Sequence, residues 1–378
     1  MSAIPGDYRE ADFLSLRVDR ETYPQNLSDI TPDIEYNLLH RSNQHGEPIF
    51  DLQRMERKDA IRPAWPQSAE FAVNLTHDVD FIGRYHPSIA FRKGVSNLRA
   101  FATHKQFKYI RHSIRAGMEI LGGAFIRDPL QRMDAWLDLE AKHGVRSTFF
   151  VTPEITGRHH WTDCSYQYDD RINHRGGKSK FSEIVREMDT SGWEVGLHPS
   201  WWTYRDSELL IYQKDQLESI IHHPIESVRQ HFLHYDPRKT SQIQIQAGFK
   251  YDSTLGFNND IGFKYGTCWP WEITENGDGQ ILEIPLVVQD VAMFHPGKRL
   301  KYSHDQAVAT VLNLAEQVRK VGGVLTLSWH PDSIENEVTY SCYESLLSEL
   351  NKMNAWFGTM KEIGNWWVTN SPELSSRA

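Results

Sequence analysis

A chain of 378 residues, 39% hydrophobic and 24% charged, is long enough for one large α/β domain with extensions or for two domains. Its formal net charge of −9 excludes the broadly basic surface of a non-specific nucleic-acid binder, so no nucleic-acid partner is expected. Three cysteines, Cys164, Cys268 and Cys342, are odd in number and form no CxxC pair, which excludes a disulfide framework and suits a reducing compartment.

Residues 1–70 are polar, rich in Pro and Asn and weakly periodic, and read as an N-terminal extension, with a few short strands, packed on a main domain over 71–378. "FAVNLTH" from Phe71 is a buried-strand run. "QRMDAWLDLEAKHG" carries helical spacing at Met133, Trp136, Leu137 and Leu139 and a stop at Gly144. "VRSTFFVT" predicts a strand, "FSEIVREMDTSG" a helix and "WEVGLH" a strand. A helix follows over "DSELLIYQKDQLESII", with Asp206 as N-cap. "ESVRQHF" predicts a strand, "TSQIQIQAG" a helix, and "FKYDSTLG" and "QILEIPLVV" strands. "SHDQAVATVLNLAEQVRKVGG" is helical, "VLTLSWH" a strand, "YESLLSELNKMNAWF" a helix and "NWWVTN" a last strand.

Apolar strands alternating with amphipathic helices predict an α/β fold with a parallel sheet, and seven or eight βα units suit a barrel. Chemistry in such barrels sits at the C-terminal strand ends. There the unusual residues fall: "THDVD", "GLHPS", "VRQH", "YDST" and "SWHPD". Alternation along a strand turns Asp78 and Asp80 one way and His77 and Val79 the other; Arg229 and His231 share a face. A His with a carboxylate suits a divalent metal, and a second carboxylate suits a general base.

This series resembles the polysaccharide deacetylase (NodB-homology, carbohydrate esterase family 4) family. "LTHDVD", "EVGLHPS", "SVRQHF", "YDSTLGF" and "LTLSWHPD" follow the order of that family's motifs, with "HGVRSTFFV" and "EIPL" similar to two further strands, over roughly 71–370. The resemblance implies a distorted (β/α) barrel of about seven strands. It also implies metal-dependent removal of N- or O-acetyl groups from an acetylated carbohydrate. Asp78 matches the catalytic base, Arg229 the residue that positions it, His198 the first metal His and His330 the general acid. Asp252 falls in the motif that supports the acid. Two positions depart: Val79 stands where the family has its metal-binding Asp, and Trp202 where it has its second metal His. On geometric grounds Asp80 replaces the missing carboxylate and His231 the missing imidazole. One divalent metal, zinc by choice, is then expected on Asp80, His198 and His231, with Asp78 outside its shell.

Each residue has a plainer reading as well. A buried Asp at a strand end can cap a helix or pair with an Arg, and His330 can be a satisfied core residue. Trp201, Trp269 and Trp271 are candidate sugar-stacking platforms, though loop Trp is as often packing. His77 reads as structural, unless a kink at Val79 makes His77 and Asp78 the ligands. Between Phe81 and Met118 there is no Asp or Glu, but Arg84, Arg92, Lys93, Arg99, Lys105, Lys108, Arg111 and Arg115 interleave with apolar residues at helical spacing. This predicts a basic helical insertion over 84–127, either a solvated cover or a peripheral contact, through 84–115, with an anionic membrane or lipid-linked sugar.

The start "MSAIPGDYREADFL" shows no signal-peptide order and no run reaches ~18 apolar residues, so no transmembrane segment and a cytoplasmic location are expected. Two rival functions remain at this level. One is a sugar-binding barrel that has lost its metal; the other is a glycosidase using Asp78 or Asp80 with Glu283.

Overall fold

A computed structural model describes residues 45–83, 132–154, 160, 162–274 and 279–371, with scattered residues between 91 and 118. Strand β1 (Phe71–Val79) is buried along its whole length, as expected for a parallel strand covered on both faces. It is followed by α1 (Met133–Lys142), β2 (Thr148–Val151) and a hairpin of β3 (Arg171–His174) and β4 (Gly177–Lys180). Next come α2 (Phe181–Thr190), β5 (Glu194–Leu197), α3 (Ser207–Ile221), β6 (Ser227–Val228), α4 (Thr240–Gln246) and β7 (Tyr251–Asp252). The C-terminal part holds β8 (Trp271–Thr274), β9 (Gln280–Glu283), β10 (Val288–Gln289), α5 (Asp290–Phe294), α6 (His304–Val321) and β11 (Val324–Ser328). It ends with α7 (Glu337–Asn351), β12 (Ala355–Phe357) and α8 (Met360–Asn370).

The sheet runs β10-β11-β1-β2-β5-β6-β7-β9-β8, parallel except for β8, which pairs antiparallel with β9 at the edge; β12 lies beside the start of β1. Helices cover this curled sheet, and the expected barrel class holds. Closure comes from one extended stretch, 280–289. Its first half pairs with β7, and Ile284 N donates to Asp252 O at 2.8 Å. Past Pro285, which has no N–H to give, Val287 N donates to Thr326 O of the β11 side at 3.1 Å. The single strand expected over "QILEIPLVV" is therefore two short ones that change partners.

Helix α8 closes the barrel floor. Met360 N donates to Thr148 Oγ1 (2.9 Å) and Lys361 N to Glu194 Oε2 (2.8 Å), both at strand starts. Gly364 lies against the Tyr251 ring so closely that a Cβ there would meet it at 2.2 Å. The strand expected over "NWWVTN" is this helix. The Thr359–Glu362 capping box starts it, and Met360, Ile363, Gly364 and Trp367 supply its buried face at helical spacing. Aromatic content suggested a strand; the period decided otherwise.

The described part of the N-terminal stretch, 45–70, holds a helix, Ile49–Met55, rather than strands. Buried Asp51 anchors it by accepting from Thr267 Oγ1 and Cys268 N, both at 2.7 Å. Residues 1–44 lie outside the described residues. Of the expected insertion, Phe91, Arg92, Val95, Leu98, Phe101, Ile110, Arg111, Ile114 and Met118 are helical, while 84–90 and 119–127 lie outside the described residues. No helix among the described residues is long and apolar enough to cross a membrane.

Candidate metal centre

The parallel strands end on one rim, and the residues just past those ends meet there. Asp80 follows β1, His198 follows β5, and Arg229 and His231 follow β6, His231 on a short 3-10 turn rather than on the expected strand. The His198 and His231 rings lie at 86° to each other, edge to face.

Three ligand atoms converge. His198 Nε2 is 3.4 Å from Asp80 Oδ1, His231 Nδ1 is 3.5 Å from that same oxygen, and the two ring nitrogens are 3.1 Å apart. The opposite nitrogen of each ring is occupied: His198 Nδ1 donates to Arg229 O at 2.7 Å, and His231 Nε2 to Thr162 O at 3.2 Å. With those tautomers, two lone pairs and a carboxylate oxygen face one point, an arrangement that asks for a cation. A tetrahedral ion with bonds of about 2.0–2.1 Å separates its ligand atoms by roughly 3.3–3.4 Å. The donor set, its spacing and its carbonyl-fixed rings therefore fit a divalent metal such as zinc. Among the described residues this is the one such group. Asp78 stands outside it, and His77, turned to the other face of β1, takes no part.

The same rim carries acid–base groups. Arg229, fully buried, donates from Nη1 to Asp78 Oδ1 (2.9 Å) and to Thr76 Oγ1 (2.6 Å), and from Nε and Nη2 to Ser253. Burial would raise the Asp78 carboxyl, but Arg229, with His198 and His330, holds it below the usual carboxylate range. Burial likewise opposes ionisation of Asp80, which His231 and His198 nevertheless keep low. His330 follows β11 and aims Nε2 at Asp80 Oδ2, 3.9 Å away. Burial would lower its imidazole, yet the adjoining Asp290 drives it well above the ordinary value.

The expected support for His330 is corrected by the structure. Asp290 accepts from His330 Nδ1 at 2.6 Å and from its backbone N at 3.0 Å. Asp252 instead accepts from Thr254 Oγ1 at 2.5 Å and pairs with Glu283 in the barrel interior. Burial raises Asp252 to about 6, and burial with the neighbouring Asp252 raises Glu283, its register partner on β9, well above the carboxylate range. Asp290 was legible by the strand-end rule, since it directly follows "VVQ", but no motif drew attention to it.

The three tryptophans are also corrected as open platforms. Trp201 is buried, stacked on the His160 ring and packed against the tilted His234 ring, each centroid 4.3 Å away. Trp269 packs on Trp367 of the floor helix and donates to Val321 O, and Trp271 is buried against Tyr265. An aromatic beside the rim is Phe232, 48% exposed, edge-on to His231, with a left-handed φ of 58°. Nothing in the sequence signals it, because its exposure follows from the turn.

A curled parallel sheet whose strand ends gather a possible Asp–His–His metal group defines an α/β barrel with a candidate metal centre. The fold is that of the polysaccharide deacetylases. A protein assigned to that group from Mycobacterium smegmatis is similar over 81% of this chain and 93% of its own, with 18% identity and a TM-score of 0.52. Another, from Pseudomonas aeruginosa, is similar over 83% and 96%, with 14% identity and the same score. The Puue allantoinase is similar over 83% and 96%, with 12% identity and a TM-score of 0.52. No protein-family model matches the chain, and no curated protein matches it in sequence.

Proposed function

We propose that this protein is a metal-dependent hydrolase that removes N- or O-acetyl groups from a carbohydrate in polysaccharide or surface-glycan metabolism. The observation that carries the reading is the triad of Asp80, His198 and His231, built at positions that restore what Val79 and Trp202 take away. A bound divalent metal, zinc by its donor set, would supply Lewis-acid polarisation of the acyl group and of water. Asp78, held ionised by Arg229, accepts a proton from the attacking water. His330, held by Asp290 at Nδ1, presents Nε2–H to the departing amine or alkoxide. The metal-free binding reading is disfavoured by the converging lone pairs. The glycosidase reading is disfavoured because Glu283 is fully buried, accepting from Leu255 N and set beside Asp252 in the β7–β9 register, rather than standing on the rim.

Two further parts of the reading concern surroundings. Three free, buried cysteines support a reducing, cytoplasmic setting. The basic insertion supports a peripheral contact with an anionic membrane, where a lipid-linked sugar would reside. Phe91, Leu98, Phe107, Ile114 and Met118 are 54–74% exposed, and Arg92 ties this segment to the stretch between β2 and β3 through Asp170 and Ser165 O.

The test is acetate release from N-acetyl chitooligosaccharides and from acetylated xylan, with the metal-stripped and zinc-loaded protein side by side. Acetate released only by the loaded protein supports the reading. New reducing ends without acetate would establish the glycosidase instead.

A further inference from the structure

The β1–β11 ladder ends at Thr76 opposite Ser328, with Trp329 N donating to Thr76 O at 2.9 Å. One step further along, a side chain continues the seam. His77 Nδ1 donates to Trp329 O at 2.7 Å, so the residue before Asp78 is bonded to the residue before His330. The other ring nitrogen, Nε2, faces Glu140 Oε1 at 2.7 Å. Both ring nitrogens of His77 are thus engaged, one by a carbonyl and one by a carboxylate.

Glu140, on α1, has no access to water and gathers bonds from four separate segments. Besides His77 it accepts from Tyr343 Oη of α7 (2.7 Å), from Ser147 Oγ before β2 (2.8 Å) and from Trp193 Nε1 before β5 (2.7 Å). Burial would raise this carboxyl, but those donors hold it below the ordinary range. The ring of His77 is stacked on Phe149 with centroids 4.5 Å apart. One turn back on α1, Trp136 Nε1 donates to Pro331 O at 3.1 Å. Helix α1 therefore holds the carbonyl on each side of His330, through His77 to Trp329 and through Trp136 to Pro331, from outside the barrel.

We propose that His77 and Glu140 are positioning residues for His330, extending the β1–β11 seam beyond its last backbone bond and fixing how far His330 stands from Asp78 and Asp80. The inference rests on the reading of His330 as proton donor. A buried ion pair is a poor source of net stability, whereas misplacing a reacting group by about 1 Å can cost 10²-fold in rate. Positioning is the role that matches so many bonds spent on one carboxylate.

The test uses the full-length zinc-loaded protein and His77→Phe/Glu140→Gln. The double change leaves no unpaired buried charge; Phe keeps the stack, and Gln still accepts from Ser147 and Trp193 and donates to Tyr343. On an N-acetyl chitooligosaccharide, whose amine must be protonated to leave, kcat should fall about 10- to 100-fold with KM unchanged. On 4-nitrophenyl acetate, whose phenolate leaves without a proton, kcat should stay within about twofold. Trp136→Phe, which spares the ion pair and its folding contribution, should show a smaller fall on the amide alone. Equal falls on both substrates, or none on either, overturn the inference. Crystal structures of wild type and double variant decide it without activity: His330 Nε2 should move about 1 Å from its place near Asp80, and an unmoved ring overturns it. A wild type that releases no acetate sinks the proposed function, while the crystallographic comparison still decides the positioning role.

Discussion

The Arg229 guanidinium donates to the Asp78 carboxylate across 2.9 Å in a space closed to bulk water. Replacing Arg229 by Met leaves Asp78 buried without its main partner. The expected cost is about 3–5 kcal/mol of stability, the range for breaking a buried pair from one side. Because the folded Asp78 titrates below its ordinary 3.8, its contribution is present above that value and is lost as pH falls through the lower folded one. Urea denaturation at a series of acidic pH values should show that loss in wild type and not in Arg229→Met/Asp78→Asn.

Zinc binding separates ligands from neighbours. Calorimetric titration should give one site per chain. His231→Ala and Asp80→Ala should weaken it by more than the ~10–100-fold typical of losing an outer-shell partner. Asp78→Asn should still bind. If Asp78→Asn fails as His231→Ala does, Asp78 belongs among the ligands and its role as base is lost.

The His330–Asp290 pair acts at the other end of the pH scale. With its folded value raised well above 6.5, His330 contributes stability that is fully present below 6.5 and lost as pH rises through the folded value. Asp290→Asn removes the main raising charge, so both the alkaline loss of stability and the alkaline limb of the rate profile should move to lower pH. A rate profile identical to wild type would show that Asp290 does not govern His330.

Glu283 is expected to carry a proton at neutral pH, because burial and the adjacent Asp252 raise it. The stability it contributes is full below the ordinary 4.5 and is lost as pH rises from there through the raised folded value. Glu283→Gln keeps the shape and has no proton to release on unfolding, so it should melt at or above wild type near neutrality and resist alkaline unfolding better. Thermal melts across the alkaline range check this. A large destabilisation at neutral pH would mean that the carboxylate form is the native one.

Membrane contact is checked by vesicle co-sedimentation. Binding to vesicles of mixed phosphatidylcholine and phosphatidylglycerol, absent with pure phosphatidylcholine and weakened by salt, is the expected outcome. Leu98→Ser/Phe107→Ser should reduce it without changing acetate release. Equal binding to both vesicles, or none to either, leaves the insertion as a structural cover.

Sequence pattern alone determined the alternation of buried strands and amphipathic helices, hence the barrel class. It also determined which residues stand at strand ends, because burial on both faces demands continuous apolar runs and the first polar residue after each run must lie on the rim. By strand alternation it put Asp78 and Asp80 on one face and His77 on the other. Tertiary structure decided the rest. His231 reaches Asp80 only because the chain turns just after Val228, and local pattern does not encode that turn. Asp290 reaches His330 only because the 280–289 stretch changes partners at Pro285 and brings β10 beside β11. Trp201, Trp269 and Trp271 look alike as aromatics between strands, but whether a ring face is open depends on what the fold packs against it, and here His160, His234, Trp367 and Tyr265 do. Period and polarity are local properties; ligand convergence and ring exposure are pairwise distances that only the folded chain sets.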